Sequence, residues 1–173
     1  MATDTKRYTK VSLLAASAIL MSACAAPARD SVPCTILQQS STCVAVPLHD
    51  DAHEDEAKAL APAPEGWGYL YVTRPYSQQR SIKSRIFVDD VLHAELGPKT
   101  FARIKLRPGT HTIKVTVEER KTVSIPVEMT KEAFLEYQIV EHLLSAEPTI
   151  KPVSQGRARE SMQPLDLVVT NTD

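Results

Sequence analysis

Residues 100–127, TFARIKLRPGTHTIKVTVEERKTVSIPV, hold three alternating runs separated by two turn signals. In the first run Ile104 and Leu106 fall on one face, and Arg103, Lys105 and Arg107 on the other. Alternation with a period of two marks a strand buried on one side. Pro108-Gly109 follows. Proline pre-sets the first central angle of a type II turn, and glycine accepts the positive φ that the second needs. Ile113, Val115 and Val117 then oppose Thr112, Lys114, Thr116 and Glu118. Beyond Glu119-Arg120-Lys121 the pattern returns with Val123, Ile125 and Val127.

Outward from this block, residues 67–74 (WGYLYVTR) are aromatic and rich in strand formers, with Tyr69 and Tyr71 alternating against Leu70 and Val72. A polar loop spans about residues 75–82. Residues 84–96 (SRIFVDDVLHAEL) predict a hairpin that turns at Asp89-Asp90, where Asp tolerates the required backbone although Asp-Gly is the stronger signal. Gly97-Pro98 breaks the chain. Residues 133–144 fit two patterns: a helix face of Phe134, Tyr137, Val140 and Leu144, opened by Thr130 with Lys131 and Glu132, or a strand set of Leu135, Tyr137, Ile139, Glu141 and Leu143. The strand is favoured, because five alternating strands need more cover for their core. Residues 147–161, with Pro148, Pro152 and Gly156, read as irregular, and Leu165, Leu167 and Val169 could add a last strand. The predicted fold is all-β, an antiparallel β-sandwich of about six to seven strands. Roughly twelve inward side chains at ~1.5–3 kcal/mol each can offset the ordering of about a hundred residues.

The stretches WGYLYVTRP, IFVDDVLHAEL and LRPGTHTIKV together resemble the bacterial family called domain of unknown function twenty-eight forty-six, akin to domains named for a Pro-Glu-Gly-Ala motif. The resemblance covers about residues 65–144 and is most specific at Pro108-Gly109-Thr110-His111. Asp90 departs from it, since relatives more often carry Gly in that hairpin turn. What it implies is a small exported protein, often a lipoprotein, with a sandwich-like domain and no established activity. No catalytic residue can be carried over.

At the other end, Lys6, Arg7 and Lys10 precede an apolar run over residues 11–21, which closes on Met21-Ser22-Ala23-Cys24. A positive start with an apolar stretch of roughly 7–15 residues is the size of a secretory signal and too short to span a bilayer. It looks like a bacterial lipoprotein signal, residues 1–23, with Cys24 as the lipidated residue; Met21 stands where the pattern favours Leu. Bacterial lipoproteins carry three acyl chains, which anchor to a membrane far more firmly than one. Ala25 rather than Asp after the cysteine favours, by analogy, the periplasmic face of an outer membrane. Cys34 and Cys43 would remain as an even pair in an oxidising compartment, a candidate disulfide with a loop worth on the order of 2–3 kcal/mol. Residues 24–65 predict a flexible, acidic, Pro- and Ala-rich tether, leaving residues 66–173 as the folded domain.

Removal of residues 1–23 leaves 150 residues, one ordinary domain and a tail, with a net charge of −3. That balance argues against a dedicated nucleic-acid binder. Residues 66–121 carry eleven basic and five acidic side chains, between two acidic flanks. The candidate binding residues are therefore Arg74, Tyr76, Arg80, Lys83 and Arg85 around the polar loop, and Arg103, Lys105 and Arg107 along one strand face. Solvated strand faces account for such charges as well. Their expected partner is an anionic envelope component or an envelope protein. No catalytic set emerges. His93, His111 and His142 are scattered without a nucleophile elbow, and His111 after its turn reads as a hydrogen-bonded structural histidine. His49 and His53 beside acids lack a recognised metal arrangement, so neither a metal nor a cofactor is expected. The function expected is a non-enzymatic binding or adapter module, the alternatives being a structural accessory subunit or, less favoured, a cryptic hydrolase.

Overall fold

The computed structural model describes residues 44–117, 121–141 and 146–172. Cys24, Cys34 and Cys43, and with them the predicted leader, anchor and disulfide, lie outside the described residues. Among these, nine strands and two short helices build a β-sandwich. One sheet joins β8 (Ala146–Pro152), β7 (Glu132–Glu141), β1 (Gly68–Arg74), β4 (Thr100–Leu106) and β9 (Asp166–Leu167), in that order. The other joins β3 (Val91–Leu96), β2 (Ser84–Val88), β5 (Gly109–Val117) and β6 (Lys121–Met129).

The alternation seen in the sequence sets which side chains meet between the sheets. Leu70, Val72, Ile104 and Leu106 from one sheet face Ile86, Ile113, Val115 and Val117 from the other, all buried. Gly109 takes φ 142°, a positive value but well beyond the ~80° of the expected type II turn; Pro108 is a bend by which the chain crosses from β4 of one sheet into β5 of the other. Asp89 and Asp90 both adopt positive φ, 49° and 67°, so β2 and β3 are joined by a two-residue turn of the hairpin-favoured hand. At Gly68 a Cβ would sit 2.7 Å from the Lys131 carbonyl oxygen, which accepts the Tyr69 amide. Only glycine allows β7 to start that close to β1.

Three expectations are corrected. The four-stranded sheet is antiparallel throughout, but the five-stranded one is mixed: β7 and β9 run parallel to β1 and β4 respectively. Residues 147–161 are regular. Their prolines lie in β8, whose outer side faces no further strand, the location where a missing N–H is tolerated, and Ser154 caps α2 (Gln155–Met162) through its side chain.

The third correction concerns the tether. From Val44 onward it belongs to the domain: Val46 and Leu48 are buried, Leu48 bridges Val168, and α1 (Asp51–Lys58) follows. Asp50 caps α1 by accepting the His53 amide at 2.9 Å. Leu60, at φ 56°, closes it: its amide bonds the Ala57 carbonyl and the Ala61 amide bonds Glu56, the pairing of a Schellman cap. The two helices cover the outer face of the five-stranded sheet, where Ala57, Leu60, Ala158 and Met162 pack on Tyr71, Phe101, Leu165 and Leu167. This second cluster is why β1 and β4 are buried on both faces.

Candidate anion-binding site

The register of β1 against β4 places Tyr71 opposite Arg103, Tyr69 opposite Lys105 and Gly68 opposite Leu106. Aromatic rings on one strand and cations on its neighbour thus share the outer face of the sheet. The Arg103 guanidinium carbon lies 4.7 Å from the Tyr69 ring centroid, and its Nη1 donates to Glu56 Oε1 at 3.1 Å. At the rim, the Arg107 guanidinium carbon is 3.8 Å from the Trp67 ring centroid and Lys105 Nζ is 5.7 Å from it. Contacts of this kind contribute about 0.5–1 kcal/mol at exposed sites, and hold the long cations in defined places. Arg107 Nη1 also donates to the Gly66 carbonyl at 3.2 Å. Gly66 has φ 77°, a conformation that suits glycine.

Beside the ladder, the strap from Pro62 to Gly66 and Trp67 borders an open cleft of about 450 Å3, closed below by Lys131 and Glu132. The Trp67 amide donates to the Pro64 carbonyl, which shapes the strap. Among the described residues no carboxylate pairs with Lys105, Arg107 or Lys131 at salt-bridge distance. The corner therefore sets Lys105 and Arg107 over Trp67, beside a cleft whose charged lining residues are Lys131, Glu65 and Glu132.

The residues singled out in the sequence separate into five places. Arg74 is buried, at 1% exposure. It donates to the carbonyls of Ile82 (2.7 Å), Gln79 (3.0 Å), Gln78 (3.2 Å) and Leu96 (3.2 Å). Burial pushes its pKa down to about 10. It faces no solvent, so it is corrected from a ligand group to an internal support of the loop. Tyr76 donates to Glu136 Oε1 at 3.0 Å, and Glu136 also pairs with Lys151 and Arg157. Burial raises that carboxyl, yet the Lys151 and Tyr76 bonds and the two cations outweigh it and hold the carboxyl below its ordinary value. Arg80 bonds the Ser77 carbonyl within its own loop. Lys83 and Arg85 share Glu95 at 2.9 and 3.4 Å on the four-stranded sheet.

Arg103, at 8% side-chain exposure and tied to Glu56, is a pillar of the ladder rather than an open donor. Lys105 and Arg107 keep the expected outward role. Trp67, Tyr69 and Lys131 were not singled out, although the aromatic alternation of residues 67–71 against the basic alternation of residues 103–107 carries the signal.

Both ring nitrogens of His111 are engaged, by Asp89 and by the Arg107 carbonyl, so neither is available as a base to a hydroxyl. Among the described residues no group of three or more His, Cys, Asp or Glu could hold a metal ion, and no helix is long and apolar enough to cross a membrane. Comparisons of the chain with protein-family models, with curated proteins and with solved structures find no match.

Proposed function

We propose that this chain is an exported lipoprotein, anchored through acyl chains on Cys24, whose sandwich is a non-enzymatic binding module of the bacterial envelope. Its docking surface is the corner of Trp67, Lys105, Arg107 and Lys131, and its ligand is an anionic envelope component bearing phosphate or carboxylate. The observation that carries this reading is the pair of cations, Lys105 and Arg107, aligned over the face of Trp67 without a carboxylate partner among the described residues. The lipoprotein-like signal and the resemblance to the twenty-eight forty-six family support the location. Neither names a ligand.

Geometry adds a direction. The Val44 amide bonds the Arg80 carbonyl, so the chain reaches the domain near the loop that follows β1. Trp67 lies just before β1, whose seven residues put the two ends ~20 Å apart. The docking corner thus lies at the other end of β1 from Val44, and the ligand proposed for it is an acidic cell-wall polymer.

Trp67 is the only tryptophan, so its emission reports on the corner alone. Titration of the Cys24→Ser chain with an acidic cell-wall polymer, and in parallel with phosphatidylglycerol vesicles, is expected to shift that emission for the polymer at low salt. The Lys105→Glu, Arg107→Glu double variant is expected to bind roughly thirtyfold more weakly or worse, at about 1 kcal/mol per cation lost near an anionic surface. Unchanged emission with both probes contradicts the proposal, and a response to vesicles alone moves the ligand to lipid headgroups.

A further inference from the structure

The hydrogen bonds of His111 fix its protonation. Nδ1 lies 2.7 Å from Asp89 Oδ2, and Nε2 lies 2.9 Å from the Arg107 carbonyl oxygen. A carbonyl oxygen only accepts, so Nε2 carries a hydrogen. Asp89 accepts as well. The Thr112 amide, at 2.8 Å, and His111 itself hold its carboxyl below the usual carboxylate range. Both contacts are hydrogen bonds at the same time only when both ring nitrogens donate, that is, in the imidazolium form. In either neutral tautomer one lone pair would face an acceptor, and one of the two bonds would be lost.

Those two bonds tie the turn between β2 and β3, which holds Asp89, to the two-residue link Arg107-Pro108 through which the chain passes from β4 of one sheet into β5 of the other. The His111 side chain is 16% exposed, and the carbonyl it grips belongs to the residue whose guanidinium stacks on Trp67. The groups facing it are few. Asp89 and His93 come from the hairpin, Arg107 from the link between β4 and β5, and β6 sets uncharged Val127 in register with it. Lys114 and Asp90 pair with each other beside the same turn. His93 has a buried Nδ1 with no hydrogen-bond partner. Burial lowers its pKa first, and the nearby His111 charge adds to that against the pull of Asp89.

We infer that His111 is a proton-operated latch. Charged, it ties the Asp89 turn to the Arg107 backbone and holds the Trp67–Arg107 corner in its docking geometry; neutral, it keeps its one hydrogen on Nδ1 toward the Asp89 carboxylate, the stronger acceptor, and the Arg107 bond is lost. The consequence for docking rests on the function proposed above, whereas the latch itself does not. Burial pulls the His111 pKa down, but the Asp89 bond, the Arg107 carbonyl and the Asp89 charge together outweigh it, so the net shift is upward. A raised folded value means that the stabilisation is complete below the ordinary histidine range near ~6.5 and is lost as pH rises through the folded value. His93, shifted down, behaves in the opposite sense: its contribution is present above ~6.5 and is lost as pH falls through its folded value. The two oppose each other in any global melting curve, so the test must be local.

Nuclear magnetic resonance on the full chain in neutral detergent, from roughly pH 5 to 9, reads both sites across the imidazole range. His111 is expected to titrate above ~6.5, and the single indole N–H, that of Trp67, to shift with the same midpoint. His111→Gln should abolish the Trp67 titration and His93→Gln should leave it. A His111 midpoint at or below the ordinary value, or a Trp67 titration that persists in His111→Gln, overturns the latch. Should that variant not fold, the wild-type ring nitrogens decide: two protonated nitrogens at roughly pH 6.5 support the latch, and one neutral tautomer there overturns it.

The docking consequence is read with the acidic cell-wall polymer. Its affinity should fall roughly threefold or more as wild-type His111 loses its proton, and stay flat in His111→Gln. A Trp67 titration that follows His111 without polymer binding at any pH keeps the latch and rejects the docking function. Polymer binding without that titration does the reverse.

Discussion

At Arg74 a full positive charge lies inside the sandwich among carbonyl oxygens, at the point where β1 hands over to the polar loop. Its guanidinium reaches the loop residues Gln78, Gln79 and Ile82 and the end of β3 at Leu96, a spread that a planar fork with five donors can cover. Replacing it by Met fills the space but strands several buried carbonyls, and should cost about 3 kcal/mol in urea unfolding. Arg74→Lys keeps the charge but not the fork, and should lie between. An Arg74→Met chain as stable as wild type would show that the loop does not depend on this residue. The sequence placed Arg74 among surface cations because charge is visible in a sequence and burial is not. Lys105 and Arg107 were legible, since their strand alternation alone directs them outward. Arg103 shares that alternation, but α1 covers it, and the pairing with Glu56 is invisible without the helix.

Elements follow the same division. The hairpin around Asp89-Asp90 and the bend at Pro108-Gly109 rest on neighbouring residues, and so does the alternation of β4, β5 and β6; these are legible in the sequence. Residues 132–141 form a strand, as favoured, but its parallel pairing with β1 depends on residues some sixty positions away. Helix α1 was hidden for a related reason. Its apolar contribution to the core is little more than Ala57 and Leu60, and polar bonds finish the docking. Glu54 accepts the Leu167 amide at 3.1 Å and Lys58 Nζ at 2.6 Å, and Lys58 also reaches the Gln163 carbonyl at 3.0 Å. Leu60 sets two effects against each other. Glycine there would relieve a left-handed backbone by about 1–2 kcal/mol, but would remove a buried leucine worth roughly 1.5–3 kcal/mol. Leu60→Gly should therefore be destabilising by about 1 kcal/mol in chemical unfolding. A stabilised variant would mean that the helix end contributes little packing.

Across the whole molecule, the two basic sets proposed from sequence end up on different sheets. Lys83 and Arg85 are neutralised together by Glu95 on the four-stranded sheet. Lys105 and Arg107 stand over Trp67 on the five-stranded one, at the end away from the attachment point of the chain. Among the described residues, only the second set combines cations without a carboxylate partner with an aromatic face beside a cleft, and only it reaches His111, through the Arg107 carbonyl. Charge reversal at each set separates location from mere charge, because the two double variants change net charge equally. The most direct measurement is co-sedimentation of the Cys24→Ser chain with acidic cell-wall polymer, comparing Lys105→Glu, Arg107→Glu with Lys83→Glu, Arg85→Glu at low salt. Loss of binding by roughly thirtyfold in the first and little change in the second is the expected result, at about 1 kcal/mol for each of two cations at the docking surface. Equal losses in both, or no loss in either, would contradict a docking site at the Trp67 corner.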